Sequence, residues 1–414
     1  MTASATTAAT PMPGKARAMM EIFVAESLET KAVSRQEWDD FVLGLRGDIY
    51  MSFDWCRIWW RHYGRGRALR LFIFRANGRL VGLAPMFVER VRLGPVSLKL
   101  GKRIGSDYAL TIFSLPIMAD FVEMAYARVL SALIGSDQCD AVWIGFCPGD
   151  DPTLPGLRAA VRSLGGLVSM ISDSSSSPHT VFHLPTTFDA YVQSLDSRQR
   201  QNYRRRLKLL EAAYTVEREV FADSALAEDS FAEFRLSHVK QWNAEGKLGH
   251  FEDWPDAAAF NADLVDCLSK CRRFRMIRLK ANGTVVSQQY AFVYGDRCFW
   301  RLPARATEVE FQKFGLGVLG LVQLVEAMIG EGVRSIEAGA GHYDYKLHFG
   351  GKELQTQTCV VVANRAFVRF RFKLFALVSS FLDLAYYKVW FRRISVRIPA
   401  LVRPLWRTWI RSRL

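Results

Sequence analysis

No apolar run in this chain is long enough to cross a bilayer. The best window, Leu374–Phe391, is interrupted by Asp383 and Lys388, whereas a spanning helix needs about twenty apolar residues. Residues 1–20 are rich in Ala and Thr and lack the apolar core of a signal peptide, so they read as a disordered leader. The seven cysteines are odd in number and scattered, which argues against a disulfide framework and for a reduced, cytoplasmic setting. No Gly-x-Ser-x-Gly elbow occurs, which disfavours a serine hydrolase. No Gly-Lys-Ser/Thr ends a glycine-rich loop, so there is no P-loop. His179-x-x-x-His183 has no third ligand nearby, and Cys267-x-x-x-Cys271 sits in a basic helical segment, so no metal site is expected.

Acidic residues are scarce in one place. Residues 363–414 hold twelve Arg or Lys against Asp383 alone, so this tail carries +11 of the net +14. Within it Phe367, Phe370, Phe375, Trp390, Phe391, Trp406 and Trp409 are interleaved with Arg369, Arg371, Lys373, Arg392, Arg393 and Arg407. Basic helices with aromatic anchors lie on anionic membrane surfaces. A peripheral position on the inner face of the cytoplasmic membrane is therefore expected. Docking on the enzyme or a partner, and nucleic-acid binding, remain alternatives.

The chain has 414 residues, half of them apolar and 13% aromatic, which is ample for large cores. Strand-like and helix-like segments alternate, which indicates an α/β class. Ser34–Leu45 reads as a helix with Ser34 at the cap and Glu37 at the capping-box position. Met51–His62 reads as an aromatic-rich helix. Leu69–Phe74 and Leu80–Val88 flank Ala76-Asn77-Gly78, and Arg275–Leu279 and Val285–Tyr294 flank Ala281-Asn282-Gly283. Both read as hairpins. Each is followed by an irregular stretch, an amphipathic helix and an apolar strand, Ala141–Phe146 and then Val333–Glu337. The order suggests a duplication. Between the copies lie a serine-rich loop, Ser172–Pro178, and a basic helix, Phe188–Ala213, with Arg198, Arg200, Arg204, Arg205, Arg206 and Lys208. Its cations read either as a solvated face or as contacts for an anionic ligand.

Only the second copy has the run Gln312-Lys313-Phe314-Gly315-Leu316-Gly317, which opens the apolar helix from Val318. Two glycines let the main chain approach an anion, and the first turn of a helix presents free N–H groups with the dipole behind them. The comparable region of the first copy reads Gly105-Ser106-Asp107-Tyr108.

This Gln-x-x-Gly-x-Gly run resembles the pyrophosphate loop of GNAT acyltransferases. With Ser52-Phe53-Asp54-Trp55, Val81-Gly82-Leu83-Ala84-Pro85, Arg200-x-Asn202-x-Arg204-Arg205, Ile336–Gly341 and Tyr345-Lys346, the chain is similar over about 21–362 to the CelD-like branch of that superfamily. These are relatives of the Fem-type peptidyltransferases. Glu337 stands where an Asp is more usual.

The resemblance implies two tandem GNAT-like lobes with mixed central sheets flanked by helices, plus a basic helical tail. The segments are a leader at 1–20, a degenerate lobe at 21–170, a linker at 171–213, an acyl-CoA lobe at 214–362 and the tail at 363–414. It implies an acyl-CoA co-substrate, acetyl-CoA above all, with no metal, on Trp300, Arg301, Leu302, Gln312, Lys313, Phe314, Gly315, Leu316, Gly317 and Val318. The expected acceptor is a small molecule or glycan precursor with an amine or hydroxyl, as in exopolysaccharide or cellulose synthesis. Tyr345 is the expected proton donor to the thiolate, its ordinary pKa near 10 suiting that exchange. Glu337 or His342 is the expected base, and Asp107, Tyr108 and Lys346 are the expected acceptor contacts. A Fem-type transferase using aminoacyl-tRNA and a non-catalytic scaffold of a membrane-bound synthesis complex are the alternatives. Nucleic acid is expected only under the first of these.

Overall fold

The computed structural model describes residues 20–109, 111–222, 224–252, 254–394 and 405–413, without side chains at 173–177, 224, 391 and 392. Apart from Met20, the leader expected at 1–20 lies outside the described residues. Twelve strands form one sheet: β1 (Met20–Ala25), β2 (Ala68–Ala76), β3 (Arg79–Leu93), β4 (Val96–Arg103), β5 (Ala141–Pro148), β6 (Val168–His183), β7 (Val216–Phe221), β8 (Phe274–Ala281), β9 (Thr284–Tyr294), β10 (Arg297–Arg305), β11 (Ser335–Ala340) and β12 (Gly351–Ala363). Their order is β1-β2-β3-β4-β5-β12-β6-β11-β10-β9-β8-β7.

Read from either edge, five sequential strands are followed by one contributed by the other half of the chain. The duplication is therefore written in the topology. Both hairpin turns place Asn and Gly at positive φ (51° and 75° at Asn77 and Gly78, 48° and 77° at Asn282 and Gly283). This is the geometry that a two-residue turn between twisted strands requires. The two halves meet through β6 and β12, which pair antiparallel along most of their length. The serine run expected as a loop lies inside β6, where Ser172, Ser174 and Ser175 pair with Cys359, Gln357 and Thr356. A polar run reads as a loop in sequence, but its backbone ladder is supplied by a strand nearly 200 residues away.

The halves also share a splay. β4 pairs parallel with β5 only at Leu100–Lys102, and β10 pairs with β11 only at Arg297–Phe299. Each following strand then passes through a glycine at positive φ, Gly145 (86°) or Gly339 (80°). In the first half Arg103 fills the gap. Its guanidinium donates to the carbonyls of Phe113 and Phe146 and lies 3.7 Å from the Phe113 ring. In the second half the gap opens into cavities. One copy of the duplicated unit is plugged and the other is hollow.

Helices cover the sheet. In the first half these are α1 (Arg35–Gly44), α2 (Phe53–Tyr63), α3 (Val122–Leu130) and α4 (Leu154–Ser163). The Ser34 and Ser52 hydroxyls accept from the N–H groups of Glu37 and Trp55, capping α1 and α2. The helix expected over 188–213 is two, α5 (Phe188–Ser194) and α6 (Ser197–Ala213). The break falls at Leu195-Asp196 because the Asp196 carboxylate accepts from Gln199 N–H (2.8 Å) and starts a new helix. Then come α7 (Ser224–Ala244), α8 (Ala257–Lys270), α9 (Leu316–Gly330), α10 (Asp344–His348), α11 (Ala366–Leu382) and α12 (Trp406–Ser412). α9 is apolar on all sides and is buried, packing on β8, β9 and β10 beneath α5 and α6.

The tail docks on the first half. Val368, Phe372 and Phe375 of α11 join a core cluster with Leu98, Leu100, Trp143 and Val360, while Trp409 and Ile410 of α12 are buried. Arg411 reaches the buried carboxylate of Glu89 (2.6 Å). Ending the chain at Asn364 uncovers this face. At about 1.5–3 kcal/mol per fully buried apolar side chain, the truncated protein is expected to lose on the order of 5 kcal/mol or more. Thermal melts of the two forms check this; equal melting temperatures would show that the tail contributes no packing.

Candidate functional site

The glycine turn follows a short tight helix, Val309–Phe314, closed by Gly315 in the left-handed conformation (φ 64°, ψ 47°) before α9 begins. A Cβ at Gly315 would lie 1.3 Å from Nη1 of Arg206, so the guanidinium of this α6 residue rests directly on the turn. The Arg206 Nε donates to Asn202 Oδ1 (2.6 Å), and Arg206 makes no ion pair among the described residues. A guanidinium without a carboxylate among the described residues, laid on a glycine turn at a helix start, has the charge and the geometry to receive an anion. Of the six basic residues singled out in the linker helix, this one meets the turn. Gly317 is open: among the described residues the only side-chain atom within 4 Å of an added Cβ is Arg305 Cδ, at 4.0 Å.

The turn forms one end of a cavity of about 430 Å3. Trp300, Pro303 and Arg305 of β10 line its length, with Ser287 and Gln289 of β9 behind and Trp242 of α7 opposite. Trp300 Nε1 and Gln289 Oε1 are buried without hydrogen-bond partners among the described residues. An unused donor and an unused acceptor in one wall suit a ligand carrying amide groups.

A second cavity, of about 360 Å3, lies beyond and shares Trp242, Pro303, Tyr343 and Tyr345 with the first. The bulge in β10 between Trp300 and Leu302 separates the two: Trp300 faces the first, while Arg301 and Leu302 face the second. Ala338–Ala340 of β11 and Lys346 of α10 form its floor. Asp107 comes from the first half, His250 and Trp254 from the segment between α7 and α8, and Tyr387, Trp409 and Arg413 from the tail.

The electrostatics of this second cavity are one-sided. Lys346 is buried, donates to the Ala338 carbonyl (2.6 Å) and lies over the Trp300 and Tyr343 rings, with no carboxylate partner among the described residues. Burial alone lowers its pKa to about 8. Arg301 sits against the Tyr50 and Trp55 rings, and Arg413 over Trp409. Burial, then the neighbouring His238, Arg301 and Lys346, hold His250 uncharged with its pKa near 3. The one carboxylate in the wall, Asp107, is already bound by Arg67 (2.6 Å) and kept ionised by Arg67 and Lys102. The cavity therefore has surplus positive charge.

Against these cavities the expected site residues divide. Trp300, Gln312, Gly315, Leu316, Gly317 and Val318 line the first, Arg301, Leu302, Asp107 and Lys346 the second, and Tyr345 both. Phe314 is in the core and Lys313 lies outside the lining. Tyr108 is buried, stacked on Tyr63 at 4.5 Å, and faces neither cavity. Glu337 lies outside both linings, held by His179 (2.5 Å) and Arg297 (2.6 Å), because its neighbour Ala338 takes the cavity side of β11. His342 is exposed and bonded to Glu353 (2.7 Å) and Asp344 (3.2 Å). Neither stands where a base would be needed. Burial, and secondarily Tyr343, push the Tyr345 phenol well above its ordinary value, so it rests as a neutral hydroxyl. Arg206, Trp242, Gln289 and His250 were not foreseen as individual site residues; in sequence they are one arginine of a basic helix, two scattered aromatics and a strand polar residue.

Residues 197–347 match the acetyltransferase (GNAT) domain family model, a span that includes Arg206, the glycine turn, Tyr345 and Lys346. Among curated proteins none matches the sequence. Among solved structures the chain is similar to FemX, at 13% identity over 82% of this chain and 98% of that one, with a TM-score of 0.56. It is also similar to a conserved protein of unknown function from Bacteroides thetaiotaomicron VPI-5482 (10% identity, 80% and 98% covered, TM-score 0.48). A tandem GNAT protein from the clavulanic acid biosynthesis pathway matches at 10% identity (84% and 99% covered, TM-score 0.42). The chain thus resembles the acetyltransferase (GNAT) domain over residues 197–347, and it shares a mixed α/β fold with FemX.

Proposed function

We propose that the chain is an acyl-CoA-dependent N- or O-acyltransferase whose acceptor is a polysaccharide precursor or another amine- or hydroxyl-bearing molecule with a phosphate or carboxylate. One observation carries this reading: the anion-binding turn with its long cavity and the cation-lined cavity meet at Tyr343 and Tyr345. The donor's pyrophosphate lies on Gly315–Val318 beside Arg206, its amide-bearing arm runs along β10, and its thioester reaches the junction. The acceptor enters from the other side, its anionic group against Lys346 and Arg301. Surplus positive charge there disfavours an ammonium, so an amine is held neutral and nucleophilic without a dedicated base. As the nitrogen or oxygen bonds to the thioester carbon, the carbon–sulfur bond breaks, the nucleophile's proton leaves to solvent and the thiolate departs. The Tyr345 hydroxyl donates a hydrogen bond to that sulfur. Calorimetry with acetyl-CoA tests the reading. Micromolar binding that Arg206→Ala weakens roughly tenfold, the worth of one charge-assisted contact, supports it; no binding at millimolar cofactor overturns it.

Tyr345→Phe is expected to lower turnover by about a hundredfold, the scale of removing one preorganised hydrogen-bond donor, while the coenzyme A dissociation constant changes less than about threefold. Steady-state kinetics beside calorimetry separate the two; parental turnover in the variant removes Tyr345 from the mechanism.

A Fem-type reading with aminoacyl-tRNA as donor has one observation in its favour. Arg198, Arg204, Arg205 and Lys208 are exposed along α6 next to the glycine turn and make no ion pairs among the described residues. Such a row suits a polyanion. Salt-sensitive tRNA binding in the absence of acetyl-CoA binding would select it.

A further inference from the structure

The helix that anchors the tail is apolar on both faces. Val368, Phe372 and Phe375 of α11 are buried against the sheet, yet Phe367, Phe370, Leu374, Leu377, Phe381 and Leu384 are exposed. Their spacing alternates between three and four residues, which is the period of one helix face. Phe367, Phe370, Leu377 and Phe381 are each more than 60% exposed. Single exposed apolar side chains need no explanation, but a continuous stripe of six does. The apolar surface also continues past the helix start, where Arg365 lines a pocket of about 350 Å3 with Ile134, Leu164, Leu167 and Val168.

Charge decides what covers this face. Arg369 and Lys373 stand exposed along α11, and Arg393 beyond it, none in an ion pair among the described residues. Asp383 is the only acid between 365 and 394, and it is engaged by Lys388 (3.2 Å) and by the Trp409 indole (3.1 Å). A second copy of the chain packed across a two-fold axis would set Arg369 and Lys373 against their own equivalents, like charge on like. An anionic bilayer complements both features at once, taking the apolar stripe into the acyl boundary while its headgroups meet the cations. Among the described residues no helix is long and apolar enough to cross a membrane.

We propose that the outer face of α11 and of the helical segment that continues it, Phe367 to Leu384 with Arg369 and Lys373, is a docking surface for anionic lipid that holds the protein on a bilayer without spanning it. The proposal is independent of the reaction. It does have a consequence for access to the cavity. The helical segment that continues α11 supplies Tyr387 to the acceptor cavity, and Trp409, stacked on Tyr387 at 4.1 Å, is beside it. Docking would therefore bring one wall of that cavity close to the lipid interface.

The test is sedimentation of the full chain with vesicles of phosphatidylcholine alone and of phosphatidylcholine mixed with phosphatidylglycerol, at low and high salt. The parent should bind the anionic vesicles at least about tenfold more tightly than the neutral ones and be partly released by salt. Phe370→Ser with Leu377→Ser should bind them roughly a hundredfold more weakly. Arg369→Glu with Lys373→Glu should abolish the preference for anionic lipid. All four positions are exposed, so melting temperatures should hold, and either pair suffices if the other does not express. Failure to bind anionic vesicles, or parental binding by both double variants, overturns the proposal. So does a dimer in sedimentation velocity that Phe370→Ser with Leu377→Ser converts to monomer, because the face would then belong to a second copy.

Discussion

Gly317→Leu is expected to abolish acyl-CoA binding and leave the fold unharmed. The turn contains two glycines, and they are glycine for different reasons. At Gly315 the backbone is left-handed and the Arg206 guanidinium occupies the space of a side chain. Any substitution there strains the chain and evicts Arg206, so lost binding would be uninformative. At Gly317 no such conflict exists: the nearest neighbour of an added Cβ is 4.0 Å away. Replacing a helical glycine with leucine even favours the helix by about 0.5–1 kcal/mol. The new side chain projects from the turn that bounds the 430 Å3 cavity, where a pyrophosphate must approach the backbone. Losing even two charge-assisted hydrogen bonds at about 1.5–3 kcal/mol each weakens binding by at least about a hundredfold. Calorimetry with acetyl-CoA and a thermal melt check both halves. Unchanged affinity would mean that the donor does not lie on this turn.

Local signals made much of this molecule legible before its structure. Ser34 with Glu37 announces a helix start that the structure contains. The paired Asn-Gly turns announce hairpins, and their repetition announces a duplication that the strand order displays. What escaped was whatever long-range pairing decides. The exchange of β6 and β12 between halves rests on partners far apart in sequence, and the serine run looked like a loop because nothing local marks its ladder. The site divides along the same line. The glycine turn and the Tyr345-Lys346 pair are contiguous and visible. Arg206 was one of six similar cations, and only the packing of α6 on the turn singles it out. Glu337 looked like a base because it ends a strand at the splay, but alternation along that strand sends it to the opposite face. The tail was read by composition alone, which cannot tell a helix lying on lipid from one lying on protein. α11 has a face for each.

Lys346→Met is expected to collapse turnover without lowering stability at neutral pH, and its pH dependence separates that outcome from simple structural damage. Lys346 is 6% exposed and has no carboxylate partner among the described residues, and burial lowers its pKa from 10.5 to about 8. The folded state therefore disfavours the ammonium. Below about pH 8 the protein carries the whole penalty, about 3 kcal/mol at roughly 1.4 kcal/mol per pH unit. Between about 8 and 10.5 the unfolded chain holds a proton that the folded chain has released, so stability rises with pH across that window. Methionine fills a similar volume with no charge, which removes the penalty and loses the hydrogen bond to the Ala338 carbonyl, worth about 1.5–3 kcal/mol. The two nearly cancel. The variant should melt at pH 7 within a few degrees of the parent, and the rise in stability above pH 8 should vanish. A buried cation retained at such a cost is explained by an anion that it meets. With a competent acceptor, turnover should fall by about a hundredfold or more, the scale of removing one preorganised electrostatic contact. Lys346→Arg should not restore it, since a planar fork cannot occupy the space between the Trp300 and Tyr343 rings as a compact ammonium does. Melts from pH 7 to 10.5, together with turnover of the three proteins, give the answer. Parental turnover in the methionine variant would remove Lys346 from the site, and a steep loss of stability at pH 7 would make it a structural residue instead.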